Sequence, residues 1–275
     1  MNQNKSILSA ICLTICLLWL NPLSAEKLCG YDIIYKAEEK ENGSTQISDS
    51  TMILINAKGQ KRVRHMKVYR KDFGENLKDE RSITFFLSPA DIKNTTYLSY
   101  DYDDGDKDDD SWLYLPSLKK VKRLASSDKS DAFLGSDFTF TDITSSKRHF
   151  WNYTILSDKE MVDGKECWLV EGTPKEEIRK KVIRETGYTK VNIWISKDNF
   201  VKVKGKFWIK RGKRIKFFKA TDVEKIDDIW TTKTQQMVTT KAGRVEHSTI
   251  MTLNNVTYNE EIDDTFFTTQ RMERG

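Results

Sequence analysis

The sequence predicts a mainly β protein with a few short helices, whose strands follow one another as an antiparallel meander. From Thr51 onward, apolar and polar residues often alternate with a period of two, which is the period of side-chain direction in a strand. Turn-forming residues separate the alternating runs at short intervals, as in successive hairpins. After residue 25 no linker or second long apolar segment divides the chain, so one domain is expected over residues 26–275.

The first 25 residues have the pattern of a cleaved secretory signal. Lys5 is the only charged residue, a largely apolar run extends from Ile7 to Leu20, and small residues end the segment at Ala25. This run is shorter than the roughly 20 residues that span a bilayer. We therefore expect residues 1–25 to be removed during export across the inner membrane to the periplasm.

One helix is expected over residues 29–39, where Ile33, Ile34 and Ala37 recur at helical spacing among charged residues. A second interruption of the β pattern lies at residues 174–185. There glutamates precede lysines by four positions, the spacing of helical ion pairs, so this segment is either a short helix or a charged irregular connection.

The remaining elements are strands with one face toward water. Residues 191–195, 201–204, 206–210 and 245–253 show the alternation most clearly. Turn residues bound these runs at residues 57–60, 162–165, 197–199, 210–213 and 241–244. The period-two pattern is compatible with a flattened sandwich, a closed barrel and a half-barrel whose concave face holds a ligand.

Charge and cysteine content restrict the partners and the compartment. The 46 basic and 41 acidic residues leave a net charge of only +5, so no nucleic-acid partner is expected. Cys29 and Cys167 remain after signal removal, in an oxidising compartment where a disulfide could persist. They form the candidate disulfide pair, although a bridge is not the favoured outcome, because the sequence does not show how far apart they lie.

Bulky apolar residues are concentrated in the central third of the chain. Much of this set must be ordinary core, but a concave sheet with apolar walls is also what an acyl-chain carrier needs. Each buried methylene contributes roughly 0.8 kcal/mol, and ligand cavities are lined mainly by such side chains. The candidate cavity-wall residues are Phe85, Leu87, Leu98, Trp112, Tyr114, Leu115, Phe133, Leu134, Phe138 and Phe140.

The sequence contains no recognisable catalytic or metal-binding pattern. The acidic run at residues 101–110 fails the EF-hand register because Gly105 is the fifth residue rather than the sixth, so it predicts a solvated hairpin tip. The three histidines are isolated, and neither a metal nor another cofactor is expected. Ser136 and Asp137 lack the second glycine of a nucleophile elbow, which predicts a protein that is not an enzyme.

A basic cluster follows the aromatic strand pattern of residues 112–116. Its members, Lys119, Lys120, Lys122 and Arg123, are the candidate contacts for acidic lipid headgroups or for an acidic protein partner. The alternative is that they form the solvated side of a strand.

Several segments, in their order and spacing, resemble one protein family. They are residues 81–92, 96–98, 112–116, 119–123 and 135–138, together with Asp142. The chain is similar to periplasmic outer-membrane lipoprotein-sorting proteins of the LolA-like type, in the branch associated with RND-type transporters. The similarity is clearest over residues 52–143.

The resemblance implies an unclosed antiparallel β-barrel with helices covering its concave face and a hydrophobic cavity for a lipid or lipoprotein acyl chain. The implied function is that of a monomeric periplasmic carrier that passes acyl chains between membrane components. A non-enzymatic scaffold, docking to an RND-type transporter through the basic cluster and the acidic hairpin, is the alternative. A secreted hydrolase built on Ser136 and Asp137 ranks below both.

Overall fold

One antiparallel sheet of thirteen strands organises the described part of the chain, residues 27–144, 147–210 and 212–274 of the computed structural model. The strands are β1 (Thr45–Asn56), β2 (Lys61–Phe73), β3 (Asp79–Ser88), β4 (Thr96–Asp101), β5 (Asp110–Leu115), β6 (Lys120–Arg123), β7 (Trp151–Val162), β8 (Lys165–Pro174), β9 (Tyr188–Ser196), β10 (Lys202–Ile209), β11 (Arg214–Ile226), β12 (Ile229–Lys241) and β13 (Arg244–Tyr258). The signal predicted over residues 1–25 lies outside the described residues.

The order of the strands leaves the sheet open. Each strand pairs with the next strand in sequence, except that β6 does not pair with β7. In addition, the first strand, β1, pairs with the last, β13. Among the described strands, β6 and β7 are therefore the two edges of the sheet. The predicted fold class, a mainly β protein with an unclosed antiparallel sheet, is confirmed.

The hairpins turn where the turn residues predict. Asp163 and Gly164, between β7 and β8, have positive φ angles of 48° and 79°. Ala242 and Gly243, between β12 and β13, repeat this geometry at 49° and 81°. Two consecutive positive φ angles match the right-handed twist of the flanking strands. Asp163, Gly164 and Gly243 tolerate this geometry, whereas Ala242 adopts it against its own preference.

Within the described residues, four short helices accompany the sheet: α1 (Gly30–Glu38), α2 (Phe140–Ile143), α3 (Arg179–Thr186) and α4 (Thr269–Arg274). The predicted first helix is confirmed as α1, and α3 follows a 3-10 turn (Glu176–Ile178) in the segment predicted as helix or irregular connection. Its ion pairs differ from the expected ones, because Glu176 pairs with Arg179 and Lys181 with Asp108. None of the helices in the described chain is long and apolar enough to cross a membrane.

Residues 124–150, here called the connecting segment, must cross the sheet because they join its two edges. The segment carries three 3-10 turns and α2. Phe133 and Phe140 on this segment pack against Phe86 and Tyr97 of β3 and β4, which defines the inner face of the sheet. The connecting segment thus fills the N-terminal half of the inner face with a packed core.

The C-terminal segment covers the opposite, outer face of the same strands. Phe267 and Met272 pack there against Phe85 and Leu98, and Tyr100 Oη donates a hydrogen bond of 2.5 Å to the Phe267 carbonyl. Neighbouring residues on β3 and β4 therefore enter two different apolar layers. The expectation of one solvated face was wrong for this half of the sheet.

The acidic hairpin tip between β4 and β5 wraps around an ammonium group. Lys147 Nζ donates to the carbonyl oxygens of Tyr102, Asp104 and Lys107 at 2.7, 2.9 and 2.9 Å, and lies 3.1 Å from Asp109 Oδ1. The Asp109 side chain is only 10% exposed. Asp103, Asp104, Asp106 and Asp108 are exposed, as predicted for a solvated tip, but Asp109 is not, because it pairs with the largely buried Lys147.

Asp101, at the end of β4, is expected to make stability depend on pH. Burial, and then the charges of Asp109 and Glu80, raise the pKa of Asp101 well above its usual range. Its contribution to stability is therefore full below the unfolded pKa of about 3.9 and is lost as pH rises through the folded value. We expect Asp101→Asn to raise Tm by about 2–4 °C at pH 7.5, the equivalent of roughly 1 kcal/mol, with little effect at pH 4.

Thermal unfolding at both pH values measures this difference. Asp106→Asn, on the exposed part of the same hairpin, is the matched control and should shift Tm equally little at both. An equal gain from Asp101→Asn at pH 4 and pH 7.5 would contradict the electrostatic origin.

Candidate functional site

A cavity of about 460 Å³ lies between the inner face of strands β7 and β9–β12 and the segments that cover it, mainly α1 and the connecting segment. This volume is within the range of roughly 300–1,000 Å³ typical of ligand sites. Its apolar wall consists of Ile34, Ala37, Phe138, Trp151, Tyr153, Val191, Ile193, Ile195, Val201, Phe207, Phe218 and Met237. Most of the wall thus comes from the strands that follow the connecting segment, with additions from α1 and from that segment.

Helix α1 covers one side of the cavity because it approaches the sheet closely. A Cβ atom on Gly30 would lie only 2.8 Å from the carbonyl oxygen of Tyr153, so this close approach requires glycine. Ile33 and Ile34 then pack against Val170 and Ile195 of the sheet. The apolar stripe predicted from the sequence of α1 is thus the surface that faces the sheet.

The carboxylate of Asp137 fixes the middle of the connecting segment to strands β12 and β13. It accepts hydrogen bonds from Thr239 Oγ1 at 2.5 Å and from Thr249 Oγ1 at 2.7 Å, and it contacts His247 Nδ1. The Asp137 amide also donates to Thr249 Oγ1 at 2.9 Å. This buried set of bonds places the next residue, Phe138, in the cavity wall.

A second carboxylate, Asp142, fixes α2 to strands β9 and β11. Its Oδ2 accepts from the Thr139 amide at 2.8 Å, which caps the helix, and from the Tyr188 hydroxyl at 2.6 Å. Lys216 Nζ lies 3.5 Å from the same oxygen and donates to Tyr188 Oη at 3.1 Å. Burial, and then the Asp142 charge, raise the pKa of Tyr188 well above its usual range, so its hydroxyl stays protonated and donates.

The cavity also has a polar part. Glu38, Lys40, Asn42, Lys202 and Gln235 contribute to its lining. Burial raises the pKa of Glu38, although a hydrogen bond of 3.1 Å from Arg148 opposes that rise. Desolvation by the surrounding protein lowers the pKa of both Lys40 and Lys202, although Lys40 is only half-buried and the Lys202 side chain is exposed to solvent. An apolar wall beside charged groups is suited to an amphiphilic ligand.

The ten candidate wall residues fall into several groups, and only Phe138 among them lines this cavity. The inner-face core under the connecting segment contains Phe133 and Phe140, with Leu115 and Leu134 partly buried against it. The outer-face core under the C-terminal segment contains Phe85 and Leu98, with Trp112 and Tyr114 partly buried against it. Leu87 is 48% exposed.

Sequence reasoning missed most of the residues that line the cavity. Val191, Ile193 and Ile195 were recognised as members of a strand, and Ile34 and Ala37 as one face of a helix. Alternation shows that two residues share a face, but it does not show whether packing fills the space above that face. The sequence does not indicate the path of the connecting segment. This segment fills one half of the inner face and leaves space above the other half.

The basic cluster lies on and beside the edge strand β6. Arg123 pairs with Asp110 on β5, and Lys122 Nζ lies 3.5 Å from Asp128. Lys119, in the turn before β6, and Lys120 are both exposed. Charged side chains on an edge strand disfavour pairing with another sheet, which is a structural role for this cluster.

The candidate disulfide is absent from the described structure, where Cys29 and Cys167 are both free thiols. Cys29 is exposed directly before α1, whereas Cys167 is buried in β8. Burial raises the pKa of the Cys167 thiol, which keeps it protonated and unreactive.

Two further arrangements bear on catalysis. Within the described residues, no group of three or more His, Cys, Asp or Glu side chains is arranged to hold a metal ion. Ser136 Oγ forms its hydrogen bonds, both 3.2 Å long, with the backbone of Phe138 in its own turn. Asp137 therefore orients the connecting segment, and the structure offers no observation in favour of a nucleophilic role for Ser136.

Comparison with known proteins identifies the family. A family model described as that of an uncharacterized protein matches residues 78–274. The crystal structure of a DUF1329 family protein from Desulfovibrio piger is 29% identical, with a TM-score of 0.79 over 88% of this chain and 97% of that chain. This chain belongs to the DUF1329 family.

Two other solved structures share the fold of this DUF1329 protein. A putative outer membrane lipoprotein-sorting protein domain from Vibrio parahaemolyticus is 25% identical, with a TM-score of 0.77 over 89% of this chain and 98% of that one. A LolA superfamily protein from Nitrosomonas europaea is 17% identical, with a TM-score of 0.66 over 89% and 100%. The resemblance to LolA-like lipoprotein-sorting proteins is thereby confirmed. No protein of curated function matches the chain.

Proposed function

We propose that this DUF1329 protein is a non-enzymatic periplasmic carrier that shelters the acyl chain of a lipid or lipoprotein during transfer between membrane components. The observation that carries the proposal is the cavity of about 460 Å³ with an apolar wall inside an unclosed sheet. Each methylene group transferred from water to such a wall contributes about 0.8 kcal/mol. The similar structure from Vibrio parahaemolyticus, described as a putative outer membrane lipoprotein-sorting domain, supports the same class of cargo.

The covering segments suit this function because they are separate from each other in the chain. Helix α1 contributes Ile34 and Ala37 to the cavity lining, and the connecting segment contributes Phe138. Removal of residues 1–25 would leave residues 26–275 as one exported domain, which acts as a monomer with one acyl-chain site. A monomeric half-barrel can release an acyl chain when one cover moves, without unfolding the sheet.

Blocking the cavity tests the carrier function. Ala37 on α1 lines the cavity, so Ala37→Trp is expected to occupy space that an acyl chain requires. We expect the affinity for a fluorescent fatty-acid probe to fall by about tenfold or more, equal to roughly 1.4 kcal/mol. Mass spectrometry of lipids extracted from the native protein should show copurified acyl chains in the wild type and fewer in this variant.

Ala57→Trp is the control, because Ala57 is exposed in the hairpin between β1 and β2. This variant should bind the probe like the wild type. Native preparations without lipid, combined with the absence of saturable probe binding in the wild type, would rule out the carrier function.

The second candidate function is that of an accessory protein docking to an RND-type transporter. The turn between β5 and β6 favours it, because Leu118 is 61% exposed beside the exposed Lys119 and Lys120. Copurification of the variant Lys119→Glu, Lys120→Glu with membrane proteins would distinguish the scaffold function from the carrier function. A scaffold should lose its transporter while a carrier keeps its bound lipid.

A further inference from the structure

A β-bulge turns one lysine of strand β10 toward the inner face of the sheet. Lys202 pairs with Ile195 of β9, and Lys204 pairs with the adjacent Trp194, so Val203 is the extra residue of the bulge. Paired residues share a face of the sheet. Lys202 therefore lies on the face of Ile195, which lines the cavity, whereas Lys204 lies on the face of Trp194.

The contacts of the two lysines agree with this assignment. Lys202 Nζ lies 4.5 Å from the ring centroid of Phe218, another residue of the cavity wall. Lys204 Nζ lies 4.6 Å from the ring centroid of Trp194 instead. Without the bulge, the regular alternation of β10 would place both lysines on one face. The sequence pattern by itself predicts that shared face.

Lys40 brings a second ammonium group to the same cavity. It follows α1 and lines the cavity with Lys202, and the Lys202 charge contributes to lowering the pKa of Lys40. Desolvation is the main cause of the lowered pKa of both lysines. An ammonium group without an anionic partner is disfavoured there, so a bound anion would stabilise the charged form of both lysines.

The cavity carboxylates already have partners elsewhere. Glu38 accepts a hydrogen bond from Arg148, and Asp142 accepts one from Tyr188 beside Lys216. Glu38 and Asp142 act on Lys202 electrostatically, but among the described residues neither forms an ion pair with Lys40 or Lys202. Two amino groups without an ion-pair partner among the described residues, the half-buried Lys40 and the exposed Lys202, therefore lie beside an apolar wall.

We propose that the cavity selects amphiphiles with an anionic headgroup, a carboxylate or a phosphate, which Lys40 and Lys202 bind while the acyl chain lies along the apolar wall. This inference rests on the proposed carrier function and narrows its cargo. An anionic group would form charge-assisted hydrogen bonds with both ammonium ions. A neutral amphiphile would gain the apolar contacts but would leave both lysines without an ion-pair partner.

The test compares ligands that differ only in headgroup charge. Dansyl-undecanoic acid and its methyl ester carry the same fluorophore and chain, and their fluorescence reports binding. We expect the wild type to bind the acid at least about tenfold more tightly than the ester. The double variant Lys40→Met, Lys202→Met should lose this preference and retain the affinity for the ester.

Lys204→Met is the matched control, because this lysine lies two positions away on the other face. It should keep the preference for the acid, and Lys202→Arg should keep it as well. A wild type that binds acid and ester equally, or a double variant that still prefers the acid, would overturn the inference while leaving the carrier function intact. Saturable binding of neither ligand would instead remove the carrier function and this inference with it.

Displacement of the dansyl acid separates the two headgroup classes. Oleic acid and oleoyl lysophosphatidic acid supply a carboxylate and a phosphate on the same chain, and oleoyl glycerol is the neutral comparison. Stronger displacement by either anionic ligand than by oleoyl glycerol supports the proposal, and the better of the two identifies the headgroup. Equal displacement by all three overturns it.

Discussion

Replacement of Asp137 by alanine is expected to lower the free energy of unfolding by about 3 kcal/mol or more. The carboxylate is 2% exposed and is shared by Thr239, Thr249 and His247. Alanine would leave two buried hydroxyl groups and one imidazole nitrogen without their acceptor, and an unsatisfied buried group costs about 1–3 kcal/mol. Because Asp137 fixes the connecting segment, the variant should also displace Phe138 and weaken binding of a fluorescent acyl probe.

Urea unfolding followed by tryptophan fluorescence measures the loss, and probe titration measures its effect on the cavity. Asp131→Ala is the matched control, because Asp131 is exposed on the same connecting segment. It should change stability by less than about 0.5 kcal/mol. A value for Asp137→Ala within that same limit would show that the carboxylate does not hold the segment.

The Lys216–Asp142 pair is expected to show a large coupling energy. The two side chains are 9% and 12% exposed, respectively. Lys216→Met removes the cation and leaves a buried carboxylate with only hydrogen-bond donors, which we expect to cost about 2–3 kcal/mol. Adding Asp142→Asn removes the uncompensated charge as well, so the double variant should be more stable than the sum of the single changes by about 1 kcal/mol or more.

Lys219 and Asp163 form the control pair for this double-mutant cycle. They lie 3.0 Å apart with side chains 49% and 59% exposed, and Lys219 is on the same strand as Lys216. Water and salt screen such a pair, so its coupling should stay below about 1 kcal/mol. Equal coupling energies for the two pairs would mean that burial does not strengthen the Lys216–Asp142 interaction.

Much of the fold follows from local sequence chemistry. The Asp163–Gly164 turn needs two residues that tolerate positive φ, and these residue types are recognisable without a structure. Helix α1 likewise follows from the spacing of Ile33, Ile34 and Ala37. Phe138, one of the ten candidate wall residues, lies in the cavity wall.

The cavity could not be predicted to the same extent. Phe85 and Phe86 look alike in sequence, yet one lies under the C-terminal segment and the other under the connecting segment. Their difference depends on which distant segment covers each face, and alternation contains no information about that. Alternation likewise does not show that the face of Val191 and Ile193 borders the cavity and not a filled core.

The mainly β class, most of the hairpin turns and α1 follow from the amino-acid order, because they depend on side-chain period and on residues that tolerate turn geometry. The open sheet, the filling of one half of its inner face by the connecting segment, and the cavity in the other half become visible only in the folded protein. The folded protein also shows the face of Lys202, since one extra residue in a strand reverses the direction of the side chains beyond it. Each of these features depends on contacts between segments far apart in the chain, and a local pattern cannot specify them.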